Sequence, residues 1–262
     1  MLSRIVHRKR SMLIASIVAG IISTGASLNA MAVDSIHFLI PGGAGGGWDG
    51  TARGTGEALS KSGLVKTISY QNMSGGGGGK AIAHLIETAN QKQDTLMVNS
   101  TPIVIRSLSK VFPQSFRDLT PVAATIGDFG AFVVRKDSKY TNFKQVAEDF
   151  KKNPRSVKIA GGSARGSMDH LVAAMAFKAA GGDPRKVKYV AYDAGGKAMA
   201  GLLSGETQLL STGFSEALAL AEAGEVRILV MTGTERSDAA ADVPTLKELG
   251  YDASFVNWRG FF

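Results

Sequence analysis

The segment Asp34–Glu57, DSIHFLIPGGAGGGWDGTARGTGE, constrains the chain more than any other. An apolar run, Ile36–Ile40, is short enough for a buried strand and stops at Pro41. Five glycines then fall within Gly42–Gly47, before Trp48 and Asp49. Thr51, Ala52 and Glu57 begin a helical pattern. A strand, a glycine loop and a helix start aim bare backbone N–H groups at an anion. Glycine permits close approach, and the helix N-terminus adds partial positive charge.

The N-terminus reads as an export signal. Arg4, Arg8, Lys9 and Arg10 precede an apolar stretch, Ser11–Ile22, and small residues follow to Ala30-Met31-Ala32. The apolar run of about 12 residues is too short for a membrane span of about 20. The expectation is a signal peptide over 1–32, cleaved near Ala32, and an exported mature chain. No cysteine occurs, so disulfides, thiolate metal sites and cysteine nucleophiles are excluded. Removing the four basic residues of 1–32 from the formal +8 leaves +4. That modest charge does not call for nucleic acid and suits an anionic ligand.

Strands and helices alternate along the rest of the chain. Val65–Tyr70, Thr95–Val98 and Leu119–Ile126 read as strands, with a helix over Lys80–Ala89. The pattern repeats with strands at Phe132–Arg135, Val157–Ala160, Val187–Tyr192, Thr207–Leu210 and Val226–Met231. Helices are expected over Asn142–Lys152, Met168–Ala180, 197–203 and Ser215–Ala223, and another opening at Asp242-Val243-Pro244-Thr245. Phe255–Phe262 is the last strand. This is an α/β chain of two doubly wound, mostly parallel lobes with helices on both faces. Ligands sit at the carboxyl ends of such strands. The lobes are expected over 33–128 with 254–262, and over 129–253. Gly127–Phe132 and Asp252–Trp258 would be the crossings.

Several sharper motifs fail. Gly45-x-Gly47-x-x-Gly50 fits a dinucleotide loop, but Gln71-Asn72-Met73 offers no acid for a ribose. Gly79-Lys80 and Gly196-Lys197 lack the preceding glycine and following hydroxyl of a phosphate loop. His7, His37, His84 and His170 form no metal-ligand spacing, so neither metal nor cofactor is expected. Ser167 with His170 and Asp169 could be a hydrolase constellation, yet neither Ser167 nor Ser163 sits in a G-x-S-x-G elbow. Gly161–Ser167 suits carboxylate binding better. Ser163, Ser167 and the N–H groups of Ala164, Gly166 and Ser167 can surround an anion, with Arg165 as a charge partner or a solvent-facing loop residue. His170 could orient this loop, reach the cleft or make a structural hydrogen bond. Trp48 is expected to wall the cleft, and Trp258 to fill the core.

Together these residues resemble the substrate-binding proteins of tripartite tricarboxylate transporters, the TctC or Bug family. The resemblance runs through 40–49 with Ala52-Arg53, then Asn72–Gly78, Gly161–Ser167 with His170-Leu171, and Tyr192–Ala198 with Leu202–Gly205. It ends on Asp242–Thr245, Gly250 and Trp258-Arg259-Gly260. It implies a two-lobed periplasmic binding protein of type II, monomeric and not an enzyme. Such a protein captures a small organic carboxylate for a large and a small membrane subunit. Citrate-like tricarboxylates or dicarboxylates are the expected ligands. The implied binding residues are Gly42, Gly45, Gly46, Gly47, Trp48 and Asp49 in the first lobe. In the second they are Ser163, Ala164, Arg165, Gly166, Ser167 and His170, with Tyr192, Asp193, Gly195 and Gly196 as a further wall. Asp193-Ala194 stands where many relatives have a basic residue and glycine, and Arg165 is expected to tune selection toward a more highly charged acid. The family continues beyond Trp258-Arg259-Gly260, which implies that the C-terminal part of the first lobe is missing here. An exported serine hydrolase using Ser167 and His170 is the alternative, and a ligand-binding sensor the third reading.

Overall fold

A computed structural model describes residues 33–262, so the signal-peptide reading of 1–32 lies outside the described residues. The first strand, β1 (Val33–Ile40), pairs in parallel with β2 (Val65–Asn72) and β3 (Thr95–Ser100). Its residues Phe38, Leu39 and Ile40 are all buried, because helices cover both faces. Phe38 and Ile40 pack with Ala52 of α1 (Gly47–Lys61). Leu39 points the other way, to Ala81 and Ile82 of α2 (Gly79–Thr88) and Ile103 of α3 (Thr101–Leu108).

The same logic builds the other half. There β5 (Lys158–Gly161) pairs in parallel with β6 (Lys188–Ala191) and β7 (Leu209–Gly213). On one face α4 (Phe143–Lys152) and α5 (Met168–Ala179) bring Phe143, Phe150 and Phe177 onto Phe132, with Phe150 and Phe177 stacked at 4.1 Å. Each such buried ring contributes about 1.5–3 kcal/mol. On the other face α6 (Gly195–Leu203) and α7 (Phe214–Glu222) supply Ala198, Leu202 and Ala217.

The halves meet at β4 (Ala123–Arg135) and β9 (Val256–Phe261), which are antiparallel partners. Strand β9 also pairs with β3, and β4 with β7 and with β8 (Val226–Met231), all antiparallel. The result is one mixed nine-stranded sheet, ordered β2-β1-β3-β9-β4-β7-β5-β6, with β8 on β4.

Two expectations are corrected. The strands expected at Leu119–Ile126 and Phe132–Arg135 are one strand, β4, and the Gly127–Phe132 crossing lies inside it. Gly127, Asp128 and Gly130 interrupt the apolar pattern, but each fits the strand. The Asp128 carboxylate accepts from the Ser215 hydroxyl at 2.8 Å and from Arg259 at 2.6 Å. A Cβ at Gly130 would sit 3.0 Å from Val172 and 3.2 Å from Thr232. The helix expected from Asp242 does not form; Thr245 bridges Met231, and 246–250 is a series of turns. The Glu248 carboxylate accepts the Thr245 N–H at 2.8 Å and closes a short loop, and Gly250, at φ +83°, ends it. Among the described residues no helix is long and apolar enough to cross a membrane.

Candidate functional site

The carboxyl ends of β1, β2, β3, β5, β6 and β7 all open on one cleft of about 340 Å3. Parallel pairing within each half brings these ends to the same edge. One wall is Pro41–Gly43 with Gly46–Trp48, extended by Ser74–Gly78 and Ser100. The facing wall is Gly162–Ala164 with Ser167–Asp169, and 191–195. The floor is Glu216, Asn257 and Arg259.

Six helices, α1, α2, α3, α5, α6 and α7, begin at these strand ends. At none of them does the N-cap side chain accept a first-turn N–H. The N-caps of α1, α2, α6 and α7 are Gly46, Gly78, Ala194 and Gly213, which have no acceptor to offer. Three first-turn amides find remote partners. The Asp169 N–H donates to Ser163 Oγ at 3.0 Å, Ser215 to Asp128 Oδ1 at 3.2 Å and Thr101 to Asn257 Oδ1 at 3.3 Å. The cleft therefore presents partial positive charge from oriented peptides more than from side-chain cations.

Side chains hold the loops in place. Trp48 Nε1 donates to Ser100 Oγ at 2.8 Å, which fixes the indole as a cleft wall. Asp49 is buried, accepts the Gly45 N–H and pairs with Arg53, both at 3.0 Å, and accepts from Asn72 at 3.1 Å. Burial alone would raise its pKa, but these donors outweigh it and hold the carboxyl below its usual range. Asp49 staples the glycine loop from behind. It lines a neighbouring groove with Gly45 and Gly196, rather than the cleft.

Contacts run across the cleft. Ser74 Oγ hydrogen-bonds to Asp193, and Arg106 Nη1 donates to the Arg165 carbonyl at 3.1 Å. A Cβ on Gly43 would fall 2.4 Å from the Asp193 carbonyl oxygen, so the glycine loop is pressed against the 193–196 turn.

Of the residues expected to bind ligand, Gly42, Gly46, Gly47, Trp48, Ser163, Ala164, Ser167, Tyr192, Asp193 and Gly195 line the cleft. Arg165, Gly166 and His170 do not. The Arg165 guanidinium donates to the Tyr189 carbonyl at 2.6 Å and so props its own loop. His170 Nδ1 accepts the Gly166 N–H at 3.0 Å, and the ring stacks on Tyr189 at 4.8 Å. Burial, aided by Arg165, lowers the His170 pKa. No hydrogen bond joins Ser167 to His170 among the described residues, and Ser167 is buried at the head of α5.

Sequence reasoning missed the floor. Arg259 is 4% exposed and donates to Asp128 at 2.6 Å and to Glu216 at 3.3 Å, while its Nε has no hydrogen-bond partner among the described residues. A Cβ on Gly47 would lie 1.6 Å from Arg259 Nη1, so the glycine makes room for the guanidinium. Asp169, also missed as a ligand-facing group, lines the cleft and is buried. Burial first, and Glu216 second, push its pKa up to about 7. The Ser163 hydroxyl and N–H, and Arg259, pull it partly back.

The chain belongs to the tripartite tricarboxylate transporter family of receptors, whose sequence pattern it matches over residues 51–262. It is 26% identical over 239 residues to a UPF0065 protein from the tcbD-tcbE intergenic region of Pseudomonas sp. (strain P51). That alignment covers 90% of this chain and 69% of the relative. The fold is that of MatC (Rpa3494) from Rhodopseudomonas palustris with bound malate, with TM-score 0.75, 22% identity and coverage of 88% of this chain and 78% of that one. R. palustris Rpa4515 with adipate gives TM-score 0.76, 22% identity and coverage of 87% and 76%. The periplasmic binding protein BugD gives TM-score 0.76 at 22% identity, covering 87% and 75%.

Proposed function

We propose that this receptor binds a small organic carboxylate, di- or tricarboxylic, in the cleft between the Gly42–Trp48 and Gly162–Ser167 loops. The observation that carries the reading is the convergence of six helix N-termini, none closed by its own N-cap side chain, on a cleft of about 340 Å3. Peptide N–H groups and the Ser167 and Ser100 hydroxyls replace the water around the carboxylate. The malate and adipate bound by the two R. palustris proteins of like fold agree in chemical class. In this reading residues 33–128 and 254–262 form one lobe and 129–253 the other. The signal peptide directs the chain to the periplasm, and the loaded receptor acts as a monomer on a large and a small membrane subunit. No catalytic step is assigned, and the Ser167–His170 arrangement gives no support to the hydrolase alternative. Titration calorimetry with malate, adipate and citrate on the folded protein tests the proposal. Micromolar or tighter binding of at least one is expected, and no heat from any of them would overturn it.

A further inference from the structure

The cleft proposed for an anion is lined by more acids than bases. Asp169, Asp193 and Glu216 face it, with Arg259 as the one side-chain cation among its lining residues. That cation is committed, at 2.6 Å to Asp128 and 3.3 Å to Glu216. Asp193 is held by Ser74 and by Lys197 at 3.6 Å. Asp169 is 5% exposed and has no ion-pair partner among the described residues. A ligand carboxylate entering here would meet a second buried carboxylate at the head of α5.

We infer that Asp169 is neutral when ligand is bound, donates its O–H to the ligand carboxylate, and so makes binding above neutral pH take up a proton from solvent. This rests on the carboxylate reading above. Two carboxyl groups close together in low dielectric share one proton, because both cannot ionise at acceptable cost. The neighbours of Asp169 pull both ways. Glu216 of α7 opposes its ionisation. Tyr189 of β6 is kept protonated by burial first and by Asp169 second, so it brings no charge to the site. The Ser163 hydroxyl, at 3.0 Å from the Asp169 N–H, and Arg259 favour ionisation, leaving Asp169 poised near pH 7 in the free protein. A ligand carboxylate raises that pKa further, so binding carries a proton in and affinity falls as pH rises.

The test is calorimetry with malate, adipate and citrate from pH 6 to pH 9, in two buffers of different ionisation enthalpy. In the upper half of this range malate and adipate are fully ionised. For whichever acid binds, uptake approaching one proton is expected above neutrality, with affinity falling by up to about tenfold per pH unit. Asp169→Asn is expected to flatten the profile, and Asp169→Ala to bind more than about tenfold more weakly than wild type at pH 6. If neither variant folds, proton uptake by the wild type decides alone. Binding without proton uptake, with affinity flat from pH 7 to pH 9, overturns the proposal and leaves the carboxylate reading standing. No binding by any of the three at any pH overturns both.

Discussion

The amino-terminal end of α4 and those of the helices around the cleft are built from different residues. Helix α4 lies away from the cleft, and its N-cap, Asn142, accepts the Gln145 N–H at 3.1 Å. At α1 the equivalent position is Gly46, in extended backbone at φ −94° and ψ 172°, a conformation any residue could adopt. Glycine there is not forced by its backbone angles, but a Cβ would sit 3.2 Å from the Ala194 Cβ of the facing turn. What it leaves is close packing and an unanswered set of N–H groups. An N-cap acceptor stabilises a helix by about 1 kcal/mol over alanine and by a few tenths over glycine, so α1, α2 and α6, whose first-turn amides have no remote side-chain partner among the described residues, together forgo about 1–2 kcal/mol at one edge of the molecule. Binding a ligand at that edge recovers what capping would have supplied.

Four experiments press on this contrast, beginning with the largest effect. Arg259→Ala removes the one cation of the cleft floor and strands Asp128 and Glu216. A loss of about 3–5 kcal/mol is expected in chemical denaturation. Next, Asp169 has a folded-state pKa above that of the unfolded chain. Its stabilising contribution is full below about pH 4 and is lost as the pH rises through about 7. Asp169→Asn escapes that loss. The variant is expected to be more stable than wild type at pH 8 by about 1–3 kcal/mol, with the gap closing toward pH 4. Third, Gly46→Asp supplies α1 with the acceptor it lacks. Malate or adipate affinity should fall at least about tenfold, since the new carboxylate answers the α1 N–H groups and its Cβ, 3.2 Å from the Ala194 Cβ, crowds the facing turn. Equal ligand affinity in that variant would show that α1 does not face the ligand. Last, Asn142→Ala should cost about 1 kcal/mol on melting and leave affinity untouched.

Much of this architecture was legible in the chain. Ile36–Ile40 with its glycine loop, and Gly161–Ser167 before α5, declared strand ends and helix starts through residue type alone. The cleft floor was not legible. Arg259 lies 131 residues from Asp128 and 43 from Glu216, and only the pairing of β4 with both β9 and β7 brings the three together. Arg165 looked like a ligand's charge partner because it stands in the serine loop, yet its guanidinium turns to the Tyr189 carbonyl. Neither outcome has a local signal. The continuity of β4 was hidden for another reason. Gly127, Asp128 and Gly130 are poor strand formers, and their fit depends on Ser215, Arg259 and Thr232, which are distant in sequence.

That continuous strand sets the mechanics. The two halves are joined by β4 lying against β9, with a register shift between Ala124 and Ile126. The join is a two-stranded ribbon, not a pair of loose tethers. Such a ribbon bends and twists readily across its face but resists shear along its ladder of hydrogen bonds. The ribbon thereby holds the two cleft walls in one register, so closely that a Cβ on Gly43 would fall 2.4 Å from the Asp193 carbonyl oxygen.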